Sequence, residues 1–133
     1  MNARSISPPP ATRENESTLG CTFPYVSYCE SVAAAVRFGL ARGKAVVVGS
    51  QPRSPGEKSV ERHARQQEML ARMLATHFGG DSRVVWADFS RLVDLHSVEV
   101  TFDGMHLKPE ANATVAAALV EPVLSAAASV GIR

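Results

Sequence analysis

Apolar residues recur along this chain at two different spacings. From Glu30 to Ala41, valine, alanine and leucine return at helical intervals, and Gly43 follows as a natural stop. Residues 44–49 then form a short β-branched run that is typical of a strand buried in a parallel sheet. The pattern therefore predicts a helix followed directly by a strand.

The same order returns in the next segment. A long helix is predicted from Glu57 to Phe78, with an apolar stripe on one side and i,i+4 charge pairs on the other. Residues 83–88 read as a second strand, and Pro109 marks the start of a last helix, which Pro122 is expected to kink or divide. This alternation predicts an α/β fold whose two strands run parallel and are joined by a crossover helix.

Two strands are few for a chain with this much apolar sequence. Residues 1–22 are rich in Pro, Ser, Thr and charge, so they are predicted to form a disordered tail, and residues 23–133 are predicted to form the folded domain. A two-stranded sheet buries less apolar surface than these strands are built to bury. Either residues 23–26 add an edge strand, or the chain is the C-terminal half of a larger domain.

Composition and charge restrict the partners. The chain has 133 residues and a formal net charge of +1, so it lacks the strong positive electrostatic potential that attracts nucleic acid. Its apolar stretches are interrupted by Arg37, Arg42 and Glu121, and no membrane span is expected. The N-terminus lacks the apolar core of a signal peptide, which favours a cytoplasmic location, where Cys21 and Cys29 would stay as thiols.

The loop before the last helix carries the candidate chemistry. Asp103 and His106 are three residues apart, and Gly104 between them permits a tight turn. Such an aspartate can bond Nδ1 of the imidazole and leave Nε2 to take a proton from a serine hydroxyl. The loop follows the second strand, at the edge where open α/β sheets place their active sites. Taken alone, the pair is equally compatible with a turn-capping Asp beside an exposed His.

The longer segment that starts at Asp103, DGMHLKPEANATVA, resembles the D-G-x-H-L-x-x-x-x-N-x-x-x-A block of SGNH/GDSL-type serine hydrolases. The two strands and the helix between them also resemble the elements that precede this block in the family. The resemblance implies a flavodoxin-like three-layer α/β/α sandwich with a parallel sheet, of which this chain would be the C-terminal half. It further implies hydrolysis of acyl esters, with His106 as general base and then general acid and with Asp103 orienting it.

The nucleophile block of that family has no counterpart here. The Gly-Asp-Ser block, the oxyanion glycine and the Gly-x-Asn-Asp block do not appear in residues 1–45. Ser50 and Gln51 follow the first strand and are candidates for lining a substrate site, or for merely capping the loop. Ser50 could also complete a noncanonical triad, but the residues after it do not open a helix whose amides would hold an oxyanion.

Two functions therefore stay open. In the first, the chain is part of a hydrolase for small acyl esters, and its serine comes from a complementing N-terminal half. In the second, it is a catalytically inactive remnant that acts as a binding or assembly module and self-associates through uncovered sheet edges and helix faces. No cofactor is expected, and His63, His77 and His96 lack the spacing of metal ligands.

Overall fold

The computed structural model of the protein describes residues 18–52 and 57–132, and the side chains of residues 57–60 are outside this description. The elements in these ranges are α1 (Val26–Ala41), β1 (Val46–Gly49), α2 (Glu57–Phe78), β2 (Val84–Ala87) and α3 (Pro109–Ser129). This order confirms the mixed α/β class. The boundaries of α2 agree with those that the sequence predicts, and both strands are shorter than predicted.

The two strands form a small parallel sheet. Residues Val46–Gly49 pair in register with Val84–Ala87, and α2 is the crossover that a parallel pair requires. The N–H of Ser50 donates to the carbonyl of Ala87, so the pairing continues to the last residue of β2. Both strands consequently end at the same edge of the sheet. A flavodoxin-like sandwich would need further strands than the described residues provide.

The core lies between one face of the sheet and helices α1 and α2. Its buried residues are Leu19, Cys21, Cys29, Ala33, Val36, Leu70, Met73, Leu74 and Phe78. Val46, Val48, Val84 and Trp86 pack against this cluster from the sheet. Because side chains alternate along a strand, Val47 and Val85 face the other way, and α3 contacts both strands from that side. Helices therefore cover both faces of the sheet.

The N-terminal boundary of the domain differs from the sequence prediction. Residues 1–17 of the predicted tail lie outside the described residues, but Leu19 and Cys21 are buried in the core. Residues 23–26 lead into α1 and do not add an edge strand. The folded part therefore starts before residue 23, because the segment ahead of α1 supplies apolar side chains that the small core needs.

The two cysteines were expected to be thiols, and this expectation is wrong for the structure. A disulfide joins Cys21 to Cys29. Cys29 lies near the start of α1 and is fully buried. It lies against the segment that holds Cys21. The bond fastens that segment to the helix.

Helix α3 is continuous from Pro109 to Ser129, so Pro122 does not divide it. By length and composition alone, α3 could cross a membrane. The core helix of a soluble protein can meet the same two criteria. The expectation that the chain has no membrane span therefore stays a prediction.

Candidate active site

Ser50 ties together the ends of the two strands. Its hydroxyl donates to Asp88 Oδ1 at 2.8 Å and accepts the N–H of Phe89 at 2.6 Å. The same carboxylate oxygen accepts the N–H of Ser90 at 2.9 Å. Ser50 is only 4% exposed. These contacts favour the capping role for Ser50, because its proton and a lone pair are both engaged inside the protein.

Asp103 and His106 meet in the turn that precedes α3. His106 Nδ1 lies 2.6 Å from Asp103 Oδ2. The other carboxylate oxygen, Oδ1, accepts the N–H groups of Met105 at 3.0 Å and of His106 at 2.8 Å. Gly104 has φ +82°, a conformation that favours glycine and that closes the turn. In the part of the chain that the structure describes, no residue hydrogen-bonds His106 Nε2.

These hydrogen bonds set the charge of the carboxyl group. The backbone N–H of His106 is the largest cause that lowers the pKa of Asp103 from 3.8 to about 2, followed by the His106 side chain and the N–H of Met105. At neutral pH the aspartate is ionised, so it can orient the imidazole and stabilise its cation. The side chains of His106 and Asp103 are 76% and 51% exposed, so solvent screens this pair.

Short-range backbone bonds hold the turn at the start of α3. Thr101 and Leu107 form an isolated antiparallel bridge, and the N–H of Phe102 donates to the carbonyl of His106 at 3.0 Å. Asn112, the asparagine of the resemblance block, donates from Nδ2 to the carbonyl of Leu107 at 3.3 Å. The turn is thus tied to the first residues of the helix, and its shape depends on local contacts.

A cavity of about 420 Å³ adjoins the turn. Its lining consists of Gln51, Pro52, His63, Leu95, Gly104, Met105 and Leu107. Gln51 therefore lines this cavity and Ser50 does not, and a substrate-lining role for either residue stays a prediction. His63 also lines this cavity, and its Nε2 lies 3.2 Å from the Gln51 carbonyl.

No set of three or more His, Cys, Asp or Glu side chains within residues 18–52 and 61–132 is arranged to hold a metal ion. Neither Asp103 nor His106 lines the cavity of about 420 Å³, but Gly104 and Met105, which lie between them in the turn, do.

The resemblance to the SGNH/GDSL block rests on the sequence of residues 103–116. A comparison of the chain with protein-family models, with curated proteins and with solved structures finds no match.

Proposed function

We propose that Asp103 and His106 are the acid–base pair of an SGNH/GDSL-type serine hydrolase that acts on small acyl esters. The observation that carries this proposal is the 2.6 Å contact between Nδ1 and Oδ2, which orients an imidazole whose Nε2 is open to a reactant. The ionised state of Asp103 supports the same role, because a carboxylate can balance the charge of the imidazolium.

In the proposed reaction, His106 Nε2 takes the proton of a serine hydroxyl as that oxygen bonds to the ester carbonyl carbon. The imidazolium then gives the proton to the leaving alcohol, and an acyl-enzyme remains. Water attacks this acyl group after losing a proton to Nε2, and the serine regains its proton on release of the acid. Asp103 keeps Nδ1–H directed at its carboxylate throughout.

The serine of this reaction is proposed to come from a complementing N-terminal half. Ser50 is a poor candidate because Asp88 and Phe89 occupy its hydroxyl. The same half would add strands to the sheet and complete a flavodoxin-like sandwich. The cavity beside Gly104 and Met105 would then accept an apolar part of the ester, since leucine, methionine and proline side chains contribute to its lining.

The test begins with the sequence encoded directly upstream, which should supply Gly-Asp-Ser at a strand end. The joined or co-expressed protein is then assayed with p-nitrophenyl esters. We expect His106→Ala to lower turnover by about a millionfold and Asp103→Asn by about 10⁴-fold. His96→Ala, in the same loop region, is the matched control and should leave turnover unchanged. The lack of an upstream Gly-Asp-Ser segment, or a His106→Ala variant as active as the parent, would contradict the proposal.

A second candidate function, non-catalytic assembly, is favoured by the outer surface of α3. Val120, Val123 and Leu124 are 51%, 49% and 57% exposed. Their i, i+3, i+4 spacing places them on one side of the helix, and a continuous apolar surface marks an interaction site. Sedimentation velocity of the wild-type chain should show association that Val123→Lys abolishes. A wild-type protein that stays monomeric at all concentrations contradicts this candidate.

A further inference from the structure

We propose that Thr101 is a positioning residue for the Asp103–His106 pair, an inference that rests on the function proposed above and adds a residue to it. Thr101 is 5% exposed, whereas the two side chains that it would position are largely open to solvent. It lies where the loop pairs with Leu107, directly before the turn. Thr101 is therefore buried and also lies next to the backbone of the turn.

The hydroxyl of Thr101 joins two segments of the loop. Oγ1 donates to the carbonyl of Leu95 at 3.1 Å and accepts the N–H of Gly104 at 3.0 Å. Because Thr101 is buried, water has little access to replace these bonds. Loss of the hydroxyl would leave the Leu95 carbonyl and the Gly104 N–H without this partner, at a cost that is largest for buried groups.

Thr101 and Asp103 divide the backbone N–H groups of the turn between them. These are three successive N–H groups, those of Gly104, Met105 and His106. Thr101 takes the first, and Asp103 Oδ1 accepts the other two. By holding the backbone at Gly104, Thr101 fixes the turn in which Oδ1 of Asp103 faces the backbone and Oδ2 faces the imidazole. Thr101 thus acts on His106 through the orientation of Asp103.

A purely structural threonine would leave the state of the imidazole unchanged, and this difference defines the test. Thr101→Val removes the hydroxyl and keeps the shape, whereas Thr101→Ser keeps the hydroxyl. Thr114→Val is the matched control, since its hydroxyl bonds only the Glu110 carbonyl on α3. The readout is the ¹⁵N spectrum of the His106 ring at a pH where the imidazole is neutral.

We expect the wild type, Thr101→Ser and Thr114→Val to carry the ring proton mainly on Nδ1. In Thr101→Val the ratio of the Nδ1–H to the Nε2–H tautomer should fall about tenfold, the change that corresponds to one hydrogen bond. An unchanged ratio in a folded Thr101→Val protein overturns the positioning role.

A measurement on the wild-type chain covers the case in which Thr101→Val does not fold. The Gly104 N–H should exchange with solvent far more slowly than a free amide, because Thr101 holds it. Exchange at the free rate overturns the inference. If instead the wild-type ring shows no preference for Nδ1–H, or Asp103→Asn does not change that preference, the pair itself fails, and the proposed function fails with it.

Discussion

The two faces of the small sheet are covered to very different degrees. On the face of α1 and α2, Val36, Leu70 and Met73 are at most 2% exposed. Of the residues in α3, which covers the other face, only Ala111 and Ala126 are buried. Both faces carry apolar strand residues, yet only the first has a closed core. Two helices and a disulfide-fastened segment enclose one side, and a single helix lies over the other.

The helices themselves explain this difference. Helix α2 has an apolar stripe and a charged side, which suits one buried and one solvated surface. Helix α3 is apolar on most of its circumference, with Glu110 and Glu121 as its only acidic residues. A helix of that kind is typical of a position with neighbours on several sides. The α3 face is therefore where a complementing half or a second copy would be expected to bind.

The largest expected effect is that of truncating a leucine in the covered face, compared with a leucine on the outer surface of α3, the helix that lies over the open face. Leu70 is 1% exposed and Leu124 is 57% exposed. Leu70→Ala should lower the free energy of unfolding by about 2–5 kcal/mol because it leaves a cavity. Leu124→Ala should change it by less than about 0.5 kcal/mol in the monomer. Urea denaturation followed by circular dichroism measures both, and equal losses would show that the faces do not differ.

The next effect concerns the disulfide that closes the covered face. Cys21 and Cys29 are eight positions apart, and removal of a crosslink with so short a loop should cost about 2–3 kcal/mol of unfolding free energy. The double Cys→Ala variant and the reduced wild type should lose similar amounts. Alkylation of unreduced protein should find no free thiol, and two reactive thiols would contradict the bond. The cytoplasmic location stays a prediction, and it conflicts with a stable disulfide.

One polar side chain interrupts the covered face. Gln67 is 6% exposed, and its Oε1 has no hydrogen-bond partner among the described residues. Replacement by methionine removes this unpaired acceptor and should raise the free energy of unfolding by about 1 kcal/mol. Gln66→Met, one position earlier and less buried, is the control. A loss of stability in Gln67→Met would show that the amide has a partner, such as a water in the cavity of about 310 Å³ that it lines.

The parts of the fold that were predictable depend on local pattern. The limits of α2 follow from its apolar stripe and from the two glycines after Phe78, and the β-branched runs locate both strands. The disulfide and the early start of the domain were not predictable, because they depend on how residues 18–25 fold back over α1. Periodicity does not describe a contact of that kind.

The candidate site also has a local part that the sequence predicts and a long-range part that it does not. The contact of Asp103 with His106 spans three residues and needs only a turn, so the spacing makes it accessible to sequence reasoning. The hydrogen bond of Ser50 to Asp88 spans 38 positions and depends on the parallel register of the sheet. Thr101 carried no sequence signal, because only its burial and its bond to Gly104 distinguish it from other loop threonines.

The smallest expected effect belongs to the exposed turn beside the open face. The folded-state pKa of Asp103 is about 2, below its ordinary value of 3.8, so its hydrogen bonds stabilise the native state above that value. As the pH falls from about 4 to about 2, the carboxylate takes up a proton and this contribution disappears. Asp103→Asn should therefore unfold at lower urea concentration than the wild type near neutral pH, and the two proteins should converge toward pH 2. Glu99→Gln, an exposed carboxyl in the same loop, should keep the wild-type profile. Parallel curves for Asp103→Asn and the wild type would mean that the hydrogen bonds to the Asp103 carboxylate do not form in solution.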